Sequence, residues 1–210
     1  MVSSGMHPTP VAAEPCARLL ESLRTVTCLG SKKGQINVLP KTTLVLGGAA
    51  SGKSAYAETL VLNTSTHCIY LATAQAFDTE MQAKICRHQN RRGPAWSTIE
   101  APLNAADVLG KLAEGQVCLL DCATLWLSNH LMTENEIEAE QSALLHALRL
   151  CPARVVVVSN EVGHGVVPDN ALARRFREAQ GRLNIALATE ADLVVQVTAG
   201  LPQVLKGQTP

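Results

Sequence analysis

The sequence predicts an α/β protein, a doubly wound and mostly parallel sheet with helices on both faces. Three observations carry that prediction: five apolar runs rich in β-branched residues, stretches with helical spacing between them, and a glycine-rich turn that follows the first run. A strand covered on both faces reads as an unbroken apolar run, and parallel neighbours are joined by right-handed helical crossovers.

Taken in order, residues 1–41 differ from the rest. They hold Pro8, Pro10, Pro15 and Pro40, small polar residues and one short amphipathic stretch around Leu19, Leu20 and Leu23. They read as a flexible extension, with the folded domain running over 42–210. The apolar runs are "TLVLG" (43–47), "CIYLA" (68–72), "VCLLD" (117–121), "VVVVS" (155–159) and "LVVQV" (193–197). "WSTIEA" (96–101) is a weaker strand, and "SALLHALRL" and "ALARRFREAQGRLNIALA" carry helical spacing.

Composition sets limits on function. The 210 residues suffice for one domain with a sizeable core, and the hydrophobic fraction of 47% with 17% charged is that of a globular chain. Lys+Arg and Asp+Glu both number 18, a balance that argues against general binding to nucleic acid or to membrane surfaces. Aromatics at 3% leave little material for stacking on bases. The seven cysteines show no C-x-x-C pair and read as buried thiols of a reducing compartment. No basic start followed by an apolar run opens the chain, and no stretch is long enough to span a membrane, so a cytoplasmic location is expected.

The first strand leads directly into "GGAASGKS": Gly47, Gly48, Ala49, Ala50, Ser51, Gly52, Lys53 and Ser54, followed by the helix-forming "AYAETLVL". This is G-x-x-x-x-G-K-[ST] in a strand–loop–helix setting, so the predicted fold is of the P-loop NTPase type. Glycines let successive backbone amides turn inward around an anion at a helix N-terminus. Lys53 adds a point charge for the terminal phosphates, and the Ser54 hydroxyl is a ligand for Mg2+. A P-loop also needs a carboxylate near the metal. Asp121, ending "VCLLD", is the candidate, with Glu161 of "VVVVSNE" as its competitor or as a group facing substrate or water. No N-K-x-D guanine-reading motif and no helicase-like series of motifs is present, which leaves a small-molecule kinase as the natural class for this size.

A second candidate is His88, set among Arg87, Arg91 and Arg92 in "CRHQNRRGPAWSTIE". "FDTEMQAKICRHQNRR" reads as a helix that starts near Asp78 or Thr79. On it Met81, Ile85 and His88 share a face, so an ordinary packed histidine is one reading. The other is chemical. A neutral imidazole is a nucleophile towards phosphorus, nearby guanidiniums disfavour its protonated form, and the same cations stabilise a departing pyrophosphate.

From Thr42 to Gly207 the chain resembles the bifunctional adenosylcobinamide kinase / adenosylcobinamide-phosphate guanylyltransferase family of cobalamin biosynthesis. Seven blocks occur in order: "GGAASGKS", "YLATAQAFDTEM", "RHQNRRGPAWSTIEAP", "LLDCATLWLSN", "VVVVSNEVGHGVVP", "LARRFREAQGRLN" and "GLPQVLKG". The resemblance implies that His88 becomes covalently attached to GMP. It further implies nucleotide contacts at the P-loop, at Ala72, Thr73 and Ala74, at Gln89, Asn90, Arg91 and Arg92, and at Glu100 and Asp121. Magnesium, a ring-like homotrimer, ATP or GTP as phosphoryl donor, GTP as guanylyl donor, and adenosylcobinamide and its phosphate as acceptors are implied as well. This chain departs from the family pattern in three places. It has Ala50 where arginine is usual in the loop, His164 where an apolar residue is preferred, and Glu178 where aspartate is commoner. Two narrower functions fit the P-loop alone: a small-molecule kinase without nucleotidyl transfer, and a non-catalytic nucleotide-binding regulator.

Overall fold

The structure is a computed structural model that describes residues 38–65, 67–75 and 93–210. The expectations for residues 1–37 and for the helix over 77–92 fall outside the described residues. Among the described residues, seven strands and five helices follow in the order β1 (Thr42–Gly47), α1 (Lys53–Leu62), β2 (Cys68–Ala72), β3 (Trp96–Glu100), α2 (Ala105–Leu109), β4 (Val117–Asp121), α3 (Ala123–Met132), α4 (Ile137–Leu150), β5 (Arg154–Asn160), α5 (Ala171–Glu190), β6 (Leu193–Thr198) and β7 (Leu201–Lys206). All five strong apolar runs and the weaker "WSTIEA" form strands where the sequence put them.

The strands make one sheet in the order β3-β2-β4-β5-β1-β6-β7. Every pairing is parallel except β6 with β7. Side chains alternate across the pleat, so each central strand feeds two cores. On β1 and β5, Leu44, Leu46, Val155 and Val157 join one cluster, under α2 to α5. Val45, Val156 and Val158 join the other, where Ala57, Leu60 and Val61 of α1 cover the opposite face. That two-sided burial is why the runs are apolar throughout. Packing also reaches back to Leu39, which is fully buried and whose carbonyl accepts a hydrogen bond from Arg154 Nη1.

Among the described strands, β7 is the one the sequence did not indicate. All six of its residues are exposed, and Pro202 is accommodated because the strand lies at the edge of the sheet. It returns from β6 through a two-residue turn in which Ala199 (φ 52) and Gly200 (φ 79) both take left-handed conformations, the combination a tight hairpin requires. Among the described residues no helix is long and apolar enough to cross a membrane. Cys68, Cys118, Cys122 and Cys151 are buried free thiols, as expected for this group.

Candidate functional site

In a parallel sheet, ligands gather outside the carboxyl ends of the strands. Four of the sequence candidates lie on that edge. Gly47 ends β1, Ala72 ends β2, Glu100 ends β3 and Asp121 ends β4. Register aligns the last three in a single row, Ala72 pairing with Glu100 on one side and with Asp121 on the other.

The loop from Gly47 to Ser54 is built to present backbone amides. Gly47 must be glycine because of close approach: a Cβ there would lie 2.4 Å from Ser51 Oγ and 2.7 Å from the Val197 carbonyl oxygen. Gly52 is required for a second reason, its left-handed φ of 93° at the N-cap of α1. No side chain caps α1, and no acidic residue occupies its first turn. The positive end of the helix dipole and its unsatisfied amides are thus left for an anion. Lys53 Nζ donates to the Gly48 carbonyl at 3.2 Å, placing the ammonium across the mouth of the loop. Ala50 takes a left-handed φ of 55° at the exposed crest. The loop is also held from the neighbouring strand, where the Gly200 amide of the β6–β7 turn donates to the Ser51 carbonyl at 2.8 Å.

Asp121 is half-buried and oriented by Tyr70, whose hydroxyl donates to Oδ2 at 2.8 Å. Tyr70 pairs with Leu119 in register, so it lies diagonally across from Asp121 on the same face. Trp96 meets the Tyr70 ring edge-on at 5.9 Å and fixes its tilt. Beside the carboxylate, the Cys122 thiol is pushed up to about 11, mainly by burial and further by the Asp121 charge. Thr73 Oγ1 donates to the Cys122 carbonyl at 2.7 Å and accepts from the Cys122 amide at 2.8 Å, which ties the ends of β2 and β4 together.

The profile of the family described as cobinamide kinase / cobinamide phosphate guanyltransferase matches residues 43–205. The chain belongs to this family. It is 45% identical over 168 residues to the bifunctional adenosylcobalamin biosynthesis protein CobP of Pseudomonas aeruginosa, spanning 79% of this chain and 97% of that protein. It is 38% identical over 179 residues to the bifunctional adenosylcobalamin biosynthesis protein CobU of Escherichia coli, spanning 78% of this chain and 98% of that protein. The CobU protein of Salmonella typhimurium matches at the same identity and coverage.

For this member of the cobinamide kinase / guanyltransferase family, the structure brings together the P-loop, Ala72, Thr73, Ala74, Glu100 and Asp121 at one sheet edge. His88, Gln89, Asn90, Arg91 and Arg92 lie outside the described residues. Thr73 is fully buried, and its side chain is committed to the Cys122 backbone; Glu100 is exposed. His164 is exposed on the loop after β5, and Glu178 is exposed beside Arg182, 3.8 Å away.

Sequence reasoning missed two supports of the site. One is Tyr70, which inside an apolar run reads as core. The other is a polar ladder on α5. Gln180 Nε2 donates to Ser159 Oγ and Asn184 Oδ1, each at 2.9 Å; Ser159 Oγ donates to Asn184 Oδ1 at 2.6 Å, and Asn184 Nδ2 donates to the Asn160 carbonyl at 3.0 Å. The spacing of Arg177, Gln180 and Asn184 puts them on one helical face, and that face supports the end of β5.

Proposed function

We propose that this chain phosphorylates adenosylcobinamide and then guanylylates the product. In the first reaction the aminopropanol hydroxyl attacks the γ-phosphorus of ATP or GTP, and a nucleoside diphosphate leaves. In the second, a ring nitrogen of His88 attacks the α-phosphorus of GTP. A nitrogen–phosphorus bond forms, and the bond to the departing pyrophosphate breaks. An oxygen of adenosylcobinamide phosphate then attacks the same phosphorus, the imidazole leaves, and adenosylcobinamide-GDP is released. Splitting the transfer this way preserves the activated phosphorus between the arrivals of two substrates.

The observation that carries this reading is the family match over 43–205, joined to a P-loop whose helix N-terminus is uncapped and faces the Asp121 end of the sheet. The names of the relatives from Pseudomonas aeruginosa and Escherichia coli support two activities in one polypeptide. The donors around the loop also fit Mg2+: a hydroxyl at Ser54 and a carboxylate at Asp121 are hard oxygen ligands, and Tyr70 already orients the carboxylate. When bound, the ion would neutralise phosphate charge as the phosphoryl group transfers. A homotrimer working in the cytoplasm completes the proposal.

The test uses GTP labelled at its α-phosphorus. Incubation with Mg2+ is expected to transfer label to the protein in a bond that survives alkali and is lost in acid, and His88→Ala is expected to abolish it. Absence of acid-labile label from the unsubstituted protein, with cobinamide phosphorylation intact, would leave a kinase alone. Nucleotide binding without either reaction would leave a regulator.

A further inference from the structure

The loop that follows β5 holds a carboxylate to which the reading above assigns no work. β5 lies between β1, which carries the phosphate loop, and β4, which carries Asp121. Asn160 pairs with Gly47, and the amide of the next residue, Glu161, donates to the Gly47 carbonyl at 3.0 Å. Glu161 therefore stands level with the first turn of the phosphate loop. Asp121 pairs with Val158, three residues lower on β5, which at ~3.3 Å per residue is roughly 10 Å deeper along the strand. The two carboxylates sit at different heights on one edge and are placed for different tasks.

The position of the Glu161 side chain is built. The Gly163 amide donates to Oε1 at 2.6 Å, curling the carboxylate back over its own loop. A Cβ at residue 163 would come within 2.7 Å of that same oxygen, so any larger residue there would displace the carboxylate from this position. The carbonyl of Gly163 is in turn gripped by Arg177 Nη2 from α5. Arg177 rises from the ladder that supports the end of β5, and its Nη1 is buried without a hydrogen-bond partner among the described residues. Within the described residues no lysine or arginine forms an ion pair with Glu161.

Resting on the kinase reading above, we propose that Glu161 is the general base of the phosphorylation step, with Gly163 and Arg177 as its positioning residues. As the aminopropanol oxygen bonds to the γ-phosphorus, its proton passes to the Glu161 carboxylate. The bond between that phosphorus and the β,γ-bridging oxygen breaks, and the nucleoside diphosphate departs with the electron pair. The proton is afterwards lost to water. Guanylylation of an imidazole has no hydroxyl proton to remove, so that half of the chemistry does not call on Glu161.

The experiment measures both half-reactions on full-length protein carrying Glu161→Gln, an isosteric change. The kcat for adenosylcobinamide phosphorylation is expected to fall by about 100-fold or more, within the range of a lost general base. KM values for triphosphate and corrinoid stay within about threefold, and acid-labile label from α-labelled GTP still appears. A kcat within about threefold of the unsubstituted protein overturns the proposal. So does an equal loss of phosphorylation and labelling, which would assign Glu161 to nucleotide binding. Gly163→Ala alone is expected to lower the phosphorylation kcat by about tenfold, yet to add little in the E161Q background; fully additive effects would show that the two do not act as one unit. If the unsubstituted protein phosphorylates no cobinamide while labelling proceeds, the kinase reading itself fails, and the base is overturned with it.

Discussion

Tyr70 shows how much of a site rests on a single hydroxyl. Its hydrogen bond to Asp121 Oδ2, at 2.8 Å, holds the carboxylate at the end of β4, and Trp96 packs edge-on against the ring. With Asp121 proposed as a ligand for Mg2+, Tyr70 would stand one shell outside it, where groups commonly set affinity by 10- to 100-fold. Tyr70→Phe keeps the ring and removes only the donor. The apparent Mg2+ affinity in the phosphorylation assay is expected to weaken about tenfold, with stability lowered by about 1 kcal/mol. Initial rates measured against Mg2+ concentration read this directly, and an unchanged half-saturation point would remove Tyr70 from the metal site. The sequence could not flag the residue, because a tyrosine within "CIYLA" has the same pattern as one that only fills the core. Asp121 was legible because an acid at the end of an apolar run, downstream of a P-loop, breaks the pattern of burial. Glu161 was visible for the same reason, but its clamp was not. Arg177 belongs to a helix whose polar residues look like a solvated face until the end of β5 is set against them.

α3 acts as a staple between the loops that follow β2 and β3. Trp126 Nε1 donates to the Leu103 carbonyl at 3.1 Å; Asn129 Nδ2 donates to the Thr73 carbonyl at 2.9 Å and to the Pro102 carbonyl at 3.0 Å. His130 Nε2 lies 3.2 Å from the Leu103 carbonyl, and Asn135 Nδ2 lies 2.9 Å from His130 Nδ1. Since a carbonyl only accepts and an amide nitrogen only donates, these partners set the proton on Nε2. The residues on both sides of the row formed by Ala72 and Glu100 are thus fixed from one helix. Asn129→Ala removes the donor from two carbonyls at once and is expected to cost about 1–3 kcal/mol in chemical denaturation. Unaltered stability would mean that water replaces the amide. At this scale the strands were legible and α3 was not. "LLDCATLWLSN" begins as a strand and continues apolar into the helix, so no change of period marks the boundary. β7 was unreadable for the opposite reason: an exposed edge strand buries nothing and so leaves no apolar signature.

For the whole molecule, the buried thiols make stability depend on alkalinity. Burial, with smaller contributions from neighbours, lifts Cys122 from 9.0 to about 11 and raises Cys118 still further. Above pH 9 the unfolded chain releases thiol protons that the folded chain retains. Unfolding then becomes more favourable as pH rises from about 9 towards 11, and the stability present below pH 9 is lost. Two units at one thiol correspond to roughly 2–3 kcal/mol at saturation. Midpoints of thermal unfolding are expected to fall across that window, and less steeply in Cys118→Ala; an equal slope in the variant would place the effect elsewhere. A different long-range dependence follows from the hydrogen bond between the Gly200 amide and the Ser51 carbonyl. The last hairpin is a brace for the phosphate loop, about 150 residues earlier in the primary structure. Truncating it, or fusing a bulky tag hard against it, would slacken nucleotide capture although no residue that touches nucleotide had been altered.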